Sequence, residues 1–359
     1  MKKHSLLIRA LVLGAMWGTG VVLAAAPCTP RGDLRPYCGF HQPEDLEPLA
    51  DGHHLLVSQM NLNPTPTGFL WKPGKISLLD TVSGKIRDLY PQPGVAGSKP
   101  TAGWGDPSCP GAIGAEFSPH GIHLSRRPDG RMQLLVVNHG GREAVEFFEF
   151  KHDRLIWRGC AIAPRGSSMN DVSARPDGGF IVTNMIDGSD PERAAHALEL
   201  VAKGEDTGFV WSWSPATGYT RVPGSEGPLP NGVQVDRAGK YFYYNVMGPK
   251  SEVRKVEIAS GRRVAAVKVP NPDNLSWDGD RLLTAGLIDP LSMSSCGGKP
   301  NECPTPSHVT AIDPQTMTAT RIFEQDGTLQ SGVSSAVEMG GRLYIGAFSG
   351  DRVLSAPAK

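Results

Sequence analysis

The sequence carries no surplus of charge. Its 36 lysines and arginines are matched by 36 aspartates and glutamates, for a formal net charge of zero. Nucleic acids and anionic membrane surfaces attract proteins through an excess of base, so neither is expected as a partner. Other absences narrow the field further. There is no heptad repeat, no Walker phosphate loop and no dinucleotide-binding glycine fingerprint. A Gly-x-Ser-x-Gly elbow is missing, and Gly166-Ser167-Ser168 lacks the strand–turn–helix context that exposes a serine nucleophile. The six cysteines include no Cys-x-x-Cys with histidine nearby, which argues against zinc and for disulfides.

What is present suits an all-β chain. The 359 residues include 43 Gly and 31 Pro, and a hydrophobic share of 39% is enough for a sizeable core. Closed β architectures of this length often form one domain. At the N-terminus, Lys2 and Lys3 precede a largely apolar run from Leu6 to Leu23 and the small residues Ala24-Ala25-Ala26. This pattern predicts a signal peptide over residues 1–26 and a single domain over 27–359. A retained anchor is the competing reading of an apolar run of that length, although Arg9 interrupts it. Cleavage implies an exported protein, periplasmic or secreted, with no stable membrane insertion after processing. Export makes disulfides the natural use of cysteine. Of the fifteen possible pairings, the most economical joins Cys28 to Cys38, Cys109 to Cys160 and Cys296 to Cys303.

A short phrase recurs six times, about 58 residues apart on average. A polar pair opens each copy, followed by a strand-like run, a glycine turn in most copies, and a second apolar run. The pairs are Glu44-Asp45, His120-Gly121, Asn170-Asp171, Asn231-Gly232, Asp273-Asn274 and Ser334-Ser335. Each unit is long enough for one four-stranded blade with its loops, and six blades close a β-propeller that buries both faces of every sheet. The chain ends are expected to close the ring, with the N-terminal segment pairing near Asp351–Ser355. Two irregular stretches, 91–115 and 287–305, are expected to cap the face where the polar pairs converge. The segment 191–203 reads as a helix with Ala195, Leu198 and Val201 on one apolar stripe.

The pairs would meet at one end of the propeller axis. Glu44, Asn170, Asn231, Asp273 and Asn274 supply oxygen-bearing side chains there, a hard-cation set. Any one Asn-Gly or Asp-Asn pair is an ordinary turn former. A turn role does not explain why the pair precedes the strand in the same register each time. Asp45 and Asp171 fall one place later, and strand alternation would turn them toward a second, deeper cation on the same axis.

Read together, these motifs resemble the serum paraoxonase/arylesterase family, within a broader group of calcium-dependent lactonases that includes the gluconolactonases and senescence-marker proteins. The resemblance runs from about Glu44 to the C-terminus. It is carried by Phe117-Ser118-Pro119-His120-Gly121-Ile122, Leu135-Val136-Val137-Asn138-His139, Val145-Glu146-Phe147-Phe148-Glu149-Phe150, Met169-Asn170-Asp171, Asn231-Gly232-Val233, Asp273-Asn274-Leu275-Ser276 and Gly341-Arg342-Leu343-Tyr344-Ile345-Gly346. The resemblance implies a six-bladed propeller with two axial calcium ions. The catalytic ion would be held by Glu44, Asn170, Asn231, Asp273 and Asn274, the structural one by Asp45, Asp171 and the backbone carbonyl of Ile122. His120 and His139 match the family's histidine pair. The chain departs from the family in three places: no cysteine follows Cys303 to tie the two termini, the leader reads as removable, and His123 replaces a small polar residue.

The resemblance implies calcium-dependent hydrolysis of small lactones and aryl esters, with promiscuous cleavage of phosphotriesters as a side activity. Calcium would polarise the carbonyl while His120, supported by His139, takes a proton from water. Asp273 is a rival base or nucleophile. Two other readings remain open at this point. One is a gluconolactonase-type enzyme with a small polar pocket, against which Trp104, Trp277, Phe348 and Met185 argue if they lie near the site. The other is a binding propeller whose calcium is structural.

Overall fold

The computed structural model describes residues 28–65, 68–289 and 304–358. The expected signal peptide and the Cys296–Cys303 pair lie outside these residues. Every polar-pair phrase folds at the start of an innermost strand, and six four-stranded antiparallel sheets result. Blade 1 comprises Pro43–Pro48, His54–Gln59, Lys75–Asp80 and Ile86–Tyr90; blade 2 comprises Pro119–Arg126, Met132–Asn138, Ala144–Lys151 and Arg154–Ile162. Blade 3 holds Met169–Ala174, Phe180–Asn184, Phe209–Ser214 and Gly218–Arg221; blade 4 holds Val233–Val235, Tyr241–Val246, Glu252–Glu257 and Arg263–Lys268. Blade 5 is Pro272–Asp278, Arg281–Leu287, Ser307–Asp313 and Thr318–Gln325. The innermost strands touch in order around the ring, and that of blade 6 touches that of blade 1.

Blade 6 is built from both ends of the chain. Val333–Met339, Arg342–Ala347 and Arg352–Pro357 supply three strands, and Arg35–Cys38 supplies the outermost, with Arg35 opposite Ser355 and Cys38 opposite Arg352. The closure is where the sequence pattern put it. The Cys28–Cys38 disulfide secures this strand from its N-terminal side.

The core is divided among the six gaps between blades, because each blade is apolar on both faces. In the second strand of blade 2, Leu134 and Val136 pack toward blade 1 while Leu135 and Val137 pack toward blade 3. In blade 4, Phe242 and Tyr244 face blade 3 while Tyr243 faces blade 5. Strands buried on both faces read as continuous apolar runs rather than alternating ones. Truncating one such leucine to alanine costs about 2–5 kcal/mol.

Two expectations are corrected here. Most of the segment 91–115 does not cap the polar-pair face; only its end reaches the loop after His139, where a Cβ on Gly141 would lie 3.3 Å from Ile113 Cδ1. The rest runs along the outer strand of blade 2, where Thr101 N bonds Arg158 O, Asp106 N bonds Cys160 O, and Cys109 is joined to Cys160. The segment 191–203 is helical but breaks at His196 into Pro191–Ala195 and Ala197–Ala202. Leu198 points outward, 62% exposed, and Ala197 is the buried residue, so the expected stripe does not form. A hairpin of Leu62–Thr65 and Gly68–Trp71 is inserted between the second and third strands of blade 1.

Candidate functional site

At the polar pairs the ladders are irregular. In five blades the pairing of the first two strands skips residues there: between Pro43 and Asp45, Pro119 and Ile122, Met169 and Val172, Pro272 and Leu275, and Val333 and Ser335. Such bulges re-aim side chains. The directions of Asp45 and Asp171 are therefore not set by strand alternation. Each reaches sideways to the next blade: Asp45 accepts the N–H groups of Leu46 (2.8 Å) and Ile122 (2.7 Å), and Asp171 those of Val172 (2.7 Å) and Val233 (2.7 Å).

Small residues in alternate blades make room for this. A Cβ on Gly121 would lie 2.5 Å from Asp171 Cα, and one on Gly232 would lie 2.5 Å from Asn274 Cα. In blade 6 the pair is used differently: the Ser334 and Ser335 hydroxyls both donate to the Glu44 carbonyl, at 2.6 and 2.7 Å.

The remaining polar side chains converge with their oxygens bare. Asn274 Nδ2 donates to Glu44 Oε1 at 2.7 Å. Asn170 Nδ2 is shared between Met185 Sδ (3.1 Å) and His120 Nε2 (3.4 Å), and Asn231 Nδ2 lies 3.5 Å from Met247 Sδ. Every amide nitrogen is thus engaged, while Glu44 Oε2, Asn170 Oδ1, Asn231 Oδ1 and Asn274 Oδ1 are buried with no hydrogen-bond donor among the described residues. Leaving one such group unsatisfied costs about 1–3 kcal/mol, so four together point to a missing positive partner.

The charges lead to the same conclusion. Glu44, Asp45, Asp171 and Asp273 are all buried. Burial pushes the Asp45 carboxyl up to about 8, held back by the Ile122 N–H, and Asp273 up to about 7, held back by Asn231. Glu44 and Asp171 are raised well above the carboxylate range by burial and then by the neighbouring charge of Asp45. Among the described residues no lysine or arginine pairs with these four, and the one basic group near them is the His120 imidazole, whose Nε2 lies 3.9 Å from Glu44 Oε1. An all-oxygen, donor-poor cluster of buried acids, whose charged forms need a counter-charge, fits a hard cation.

His120 and His139 are brought together as expected, His120 Nδ1 lying 3.0 Å from His139 Nε2. Burial, and then the neighbouring His139, hold His120 well below the usual histidine range. Two further residues complete this group, and sequence reasoning missed both. Glu143 Oε2 is 2.8 Å from His139 Nδ1, and the Trp71 ring stacks on His139 at 3.7 Å between centroids. No local pattern distinguishes Glu143 from the neighbouring Arg142–Glu146 ion pair, and Trp71 lies on an inserted hairpin outside the repeat. The residue after each second strand did carry a signal. Met60, His139, Met185, Met247, Ile288 and Phe348 recur there, and three of them touch the site: the Met185 and Met247 sulfurs reach Asn170 and Asn231, and His139 reaches His120.

Trp104 and Trp277 are not part of this site. Trp104 is buried between blades 2 and 3 with the Arg127 guanidinium 4.0 Å from its ring centroid. Trp277 lines a cavity of about 460 Å³ at the opposite mouth of the channel, together with Glu47, His123 and Gln234. That cavity is open, but the converging bare oxygens lie at the other end. Asp51, His53 and His54 form a separate group on an exposed turn, where they pair chiefly with one another.

With this geometry in hand, comparison with known proteins is informative. The arylesterase family model matches residues 109–353, more than half of the chain. No curated protein matches the sequence significantly. Among solved structures, a gluconolactonase from Xanthomonas campestris superposes with a TM-score of 0.53 at 14% identity, over 91% of this chain and 89% of its own. A putative gluconolactonase from a structural genomics programme gives a TM-score of 0.52 at 15% identity, over 93% and 97%. At such identities the likeness is one of fold.

Proposed function

The chain belongs to the arylesterase family, and we propose that it is a hydrolase of the esterase and lactonase type that cleaves aryl esters and lactones with calcium held at the polar-pair end of the axis. The observation that carries this reading is the set of four buried oxygens without donors, on Glu44, Asn170, Asn231 and Asn274. With Asp273 they would hold the catalytic ion. Five side chains are fewer than the six to eight oxygens calcium takes, which leaves room for a substrate oxygen or water. Asp45, Asp171 and the Ile122 carbonyl would hold a second, structural ion. Both aspartates are buried and repel each other, a burden that a bound cation would relieve.

When bound, calcium supplies Lewis-acid polarisation of the ester carbonyl and stabilises the negative charge that develops on it. The chain's own residues supply proton transfer. His120 is neutral and presents Nε2 to the oxygen cluster, so it can take a proton from an attacking water. His139 behind it shares the resulting charge through the Nδ1–Nε2 contact. Asp273 is the alternative base, with Asn231 beside it. Met185 and Met247, whose sulfurs reach Asn170 and Asn231, together with Trp71 on His139, favour an aryl or aliphatic substrate over a sugar lactone. Export is supported by the disulfides Cys28–Cys38 and Cys109–Cys160, since such bonds persist in oxidising compartments. Among the described residues no helix is long and apolar enough to cross a membrane.

The test is hydrolysis of phenyl acetate, a long-acyl γ-lactone and gluconolactone, before and after EDTA and after calcium is restored. Activity on the first two that is lost to chelation and regained with calcium supports the proposal. Turnover of gluconolactone alone makes the enzyme a sugar lactonase. A folded, calcium-loaded protein that cleaves none of them is a binding propeller.

A further inference from the structure

We propose that Glu143 is a positioning residue that sets the direction of the His139–His120 relay and ties it to the innermost strand of blade 3. The proposal rests on the reading of His120 as the base at the cation end. Glu143 stands in the connection between the second and third strands of blade 2, and its two oxygens have different partners. Oε2 lies 2.8 Å from His139 Nδ1, and Oε1 accepts the Met169 N–H at 2.6 Å.

The protons follow from this contact. A carboxylate only accepts, so the hydrogen between Glu143 and His139 belongs to His139 Nδ1. Neutral imidazole carries one N–H, which leaves His139 Nε2 as the acceptor 3.0 Å from His120 Nδ1. The hydrogen in that contact is therefore on His120 Nδ1, and the His120 lone pair is on Nε2. That nitrogen faces the oxygen cluster, 3.9 Å from Glu44 Oε1. A contact from the other side agrees: Asn170 Nδ2, which can only donate, lies 3.4 Å from the same Nε2. Glu143 at the outer end and Asn170 at the inner end demand one and the same arrangement of protons.

The second oxygen gives the link to blade 3. Met169 immediately precedes Asn170 and Asp171, where the blade 3 ladder loses its register. One carboxylate thus orients the relay and holds the strand that presents two of the oxygen-bearing side chains. Trp71 stacked on His139, and the bond from His139 N to Ser118 O, leave Glu143 as the contact that selects the tautomer.

The experiment reads tautomers and turnover in the full-length, calcium-loaded protein. Two-bond ¹H–¹⁵N correlations of the imidazoles are recorded first in the wild type. Both His120 and His139 are expected as the Nδ1–H form, the less common tautomer of free imidazole. In Glu143→Ala the His139 signal is expected to move to Nε2–H. Its kcat for phenyl acetate should fall by roughly tenfold or more, with KM nearly unchanged. Added formate, a small carboxylate, should restore both. Nε2–H on either histidine in the wild type overturns the proposal, whether or not the variant folds. A fall in kcat with tautomers unchanged and no response to formate also overturns it, leaving Glu143 a merely structural clip. If the wild type cleaves no ester or lactone, the functional reading fails and the tautomers alone judge Glu143.

Discussion

Asn274 of blade 5 donates a hydrogen bond to Glu44 of blade 1 at 2.7 Å, joining positions 230 residues apart. That one bond leaves Glu44 Oε2 and Asn274 Oδ1 buried without donors. A neutral amide opposite the buried acid spares the fold a second adjacent charge. Asn274→Asp puts two carboxylates at hydrogen-bond distance. The variant is expected to melt well below the wild type in EDTA and to recover most of the difference when calcium is added. Thermal scans in both conditions check this, and an equal deficit with and without calcium would contradict it.

The buried acids also set a pH dependence. The folded-state values of Asp45 (about 8) and Asp273 (about 7) lie above those of the unfolded chain, and Glu44 and Asp171 are raised as well. Between an unfolded carboxylate value of about 4 and a folded value of about 8, the folded state holds more protons. Its stability is therefore greatest below that window and is lost as pH rises through it. In EDTA the melting temperature should be lower at pH 8.5 than at pH 5.5, and calcium, which replaces those protons, should erase the difference. A metal-free protein that gains stability across this range would show that the acids are not buried as described.

Gly232 has no room for a side chain. A Cβ there would lie 2.5 Å from Asn274 Cα and Leu275 N, both backbone atoms of the neighbouring innermost strand. Gly232→Ala is expected to cost roughly 1–3 kcal/mol in urea unfolding and to weaken calcium binding, because the displaced strand carries Asp273 and Asn274. Wild-type stability in this variant would mean that blades 4 and 5 are not in contact at the axis.

The Cys109–Cys160 bond holds the 91–115 segment to the outer strand of blade 2, away from the oxygen cluster. Replacing both cysteines by serine should lower stability by about 2–4 kcal/mol. Calcium affinity and KM for phenyl acetate should stay within experimental error of the wild type. A change in KM would return this segment to the active-site face.

Much of the fold was legible in the sequence because its signals are local and repeated. The innermost strands are marked by polar pairs in constant register, and Leu134–Val137 reads as an apolar run because both of its faces are buried. The ring closure at Asp351–Ser355 and two of the cysteine pairings were likewise open to inference. The course of 91–115 was not, since an irregular segment has no period from which to read the surface it follows. The segment 191–203 has a helical period, but its packing against the short turn Gly248–Lys250 of blade 4 decided which residues face outward.

The candidate site divides in the same way. The sequence by itself determined which side chains stand at the axial end: Glu44, Asn170, Asn231, Asp273 and Asn274, with His120 among them, because a residue's place in a repeated unit sets its height along the axis. Only the tertiary structure decided what those side chains do to one another. Ring closure set Asn274 against Glu44, bulges sent Asp45 and Asp171 to the N–H groups of neighbouring blades, and sulfurs from Met185 and Met247 engaged the amides so that their oxygens were left bare. Glu143 and Trp71 were found on His139 only in three dimensions. Hydrogen bonding and stacking act over a few ångströms, and which groups come that close is settled by the packing of the whole ring.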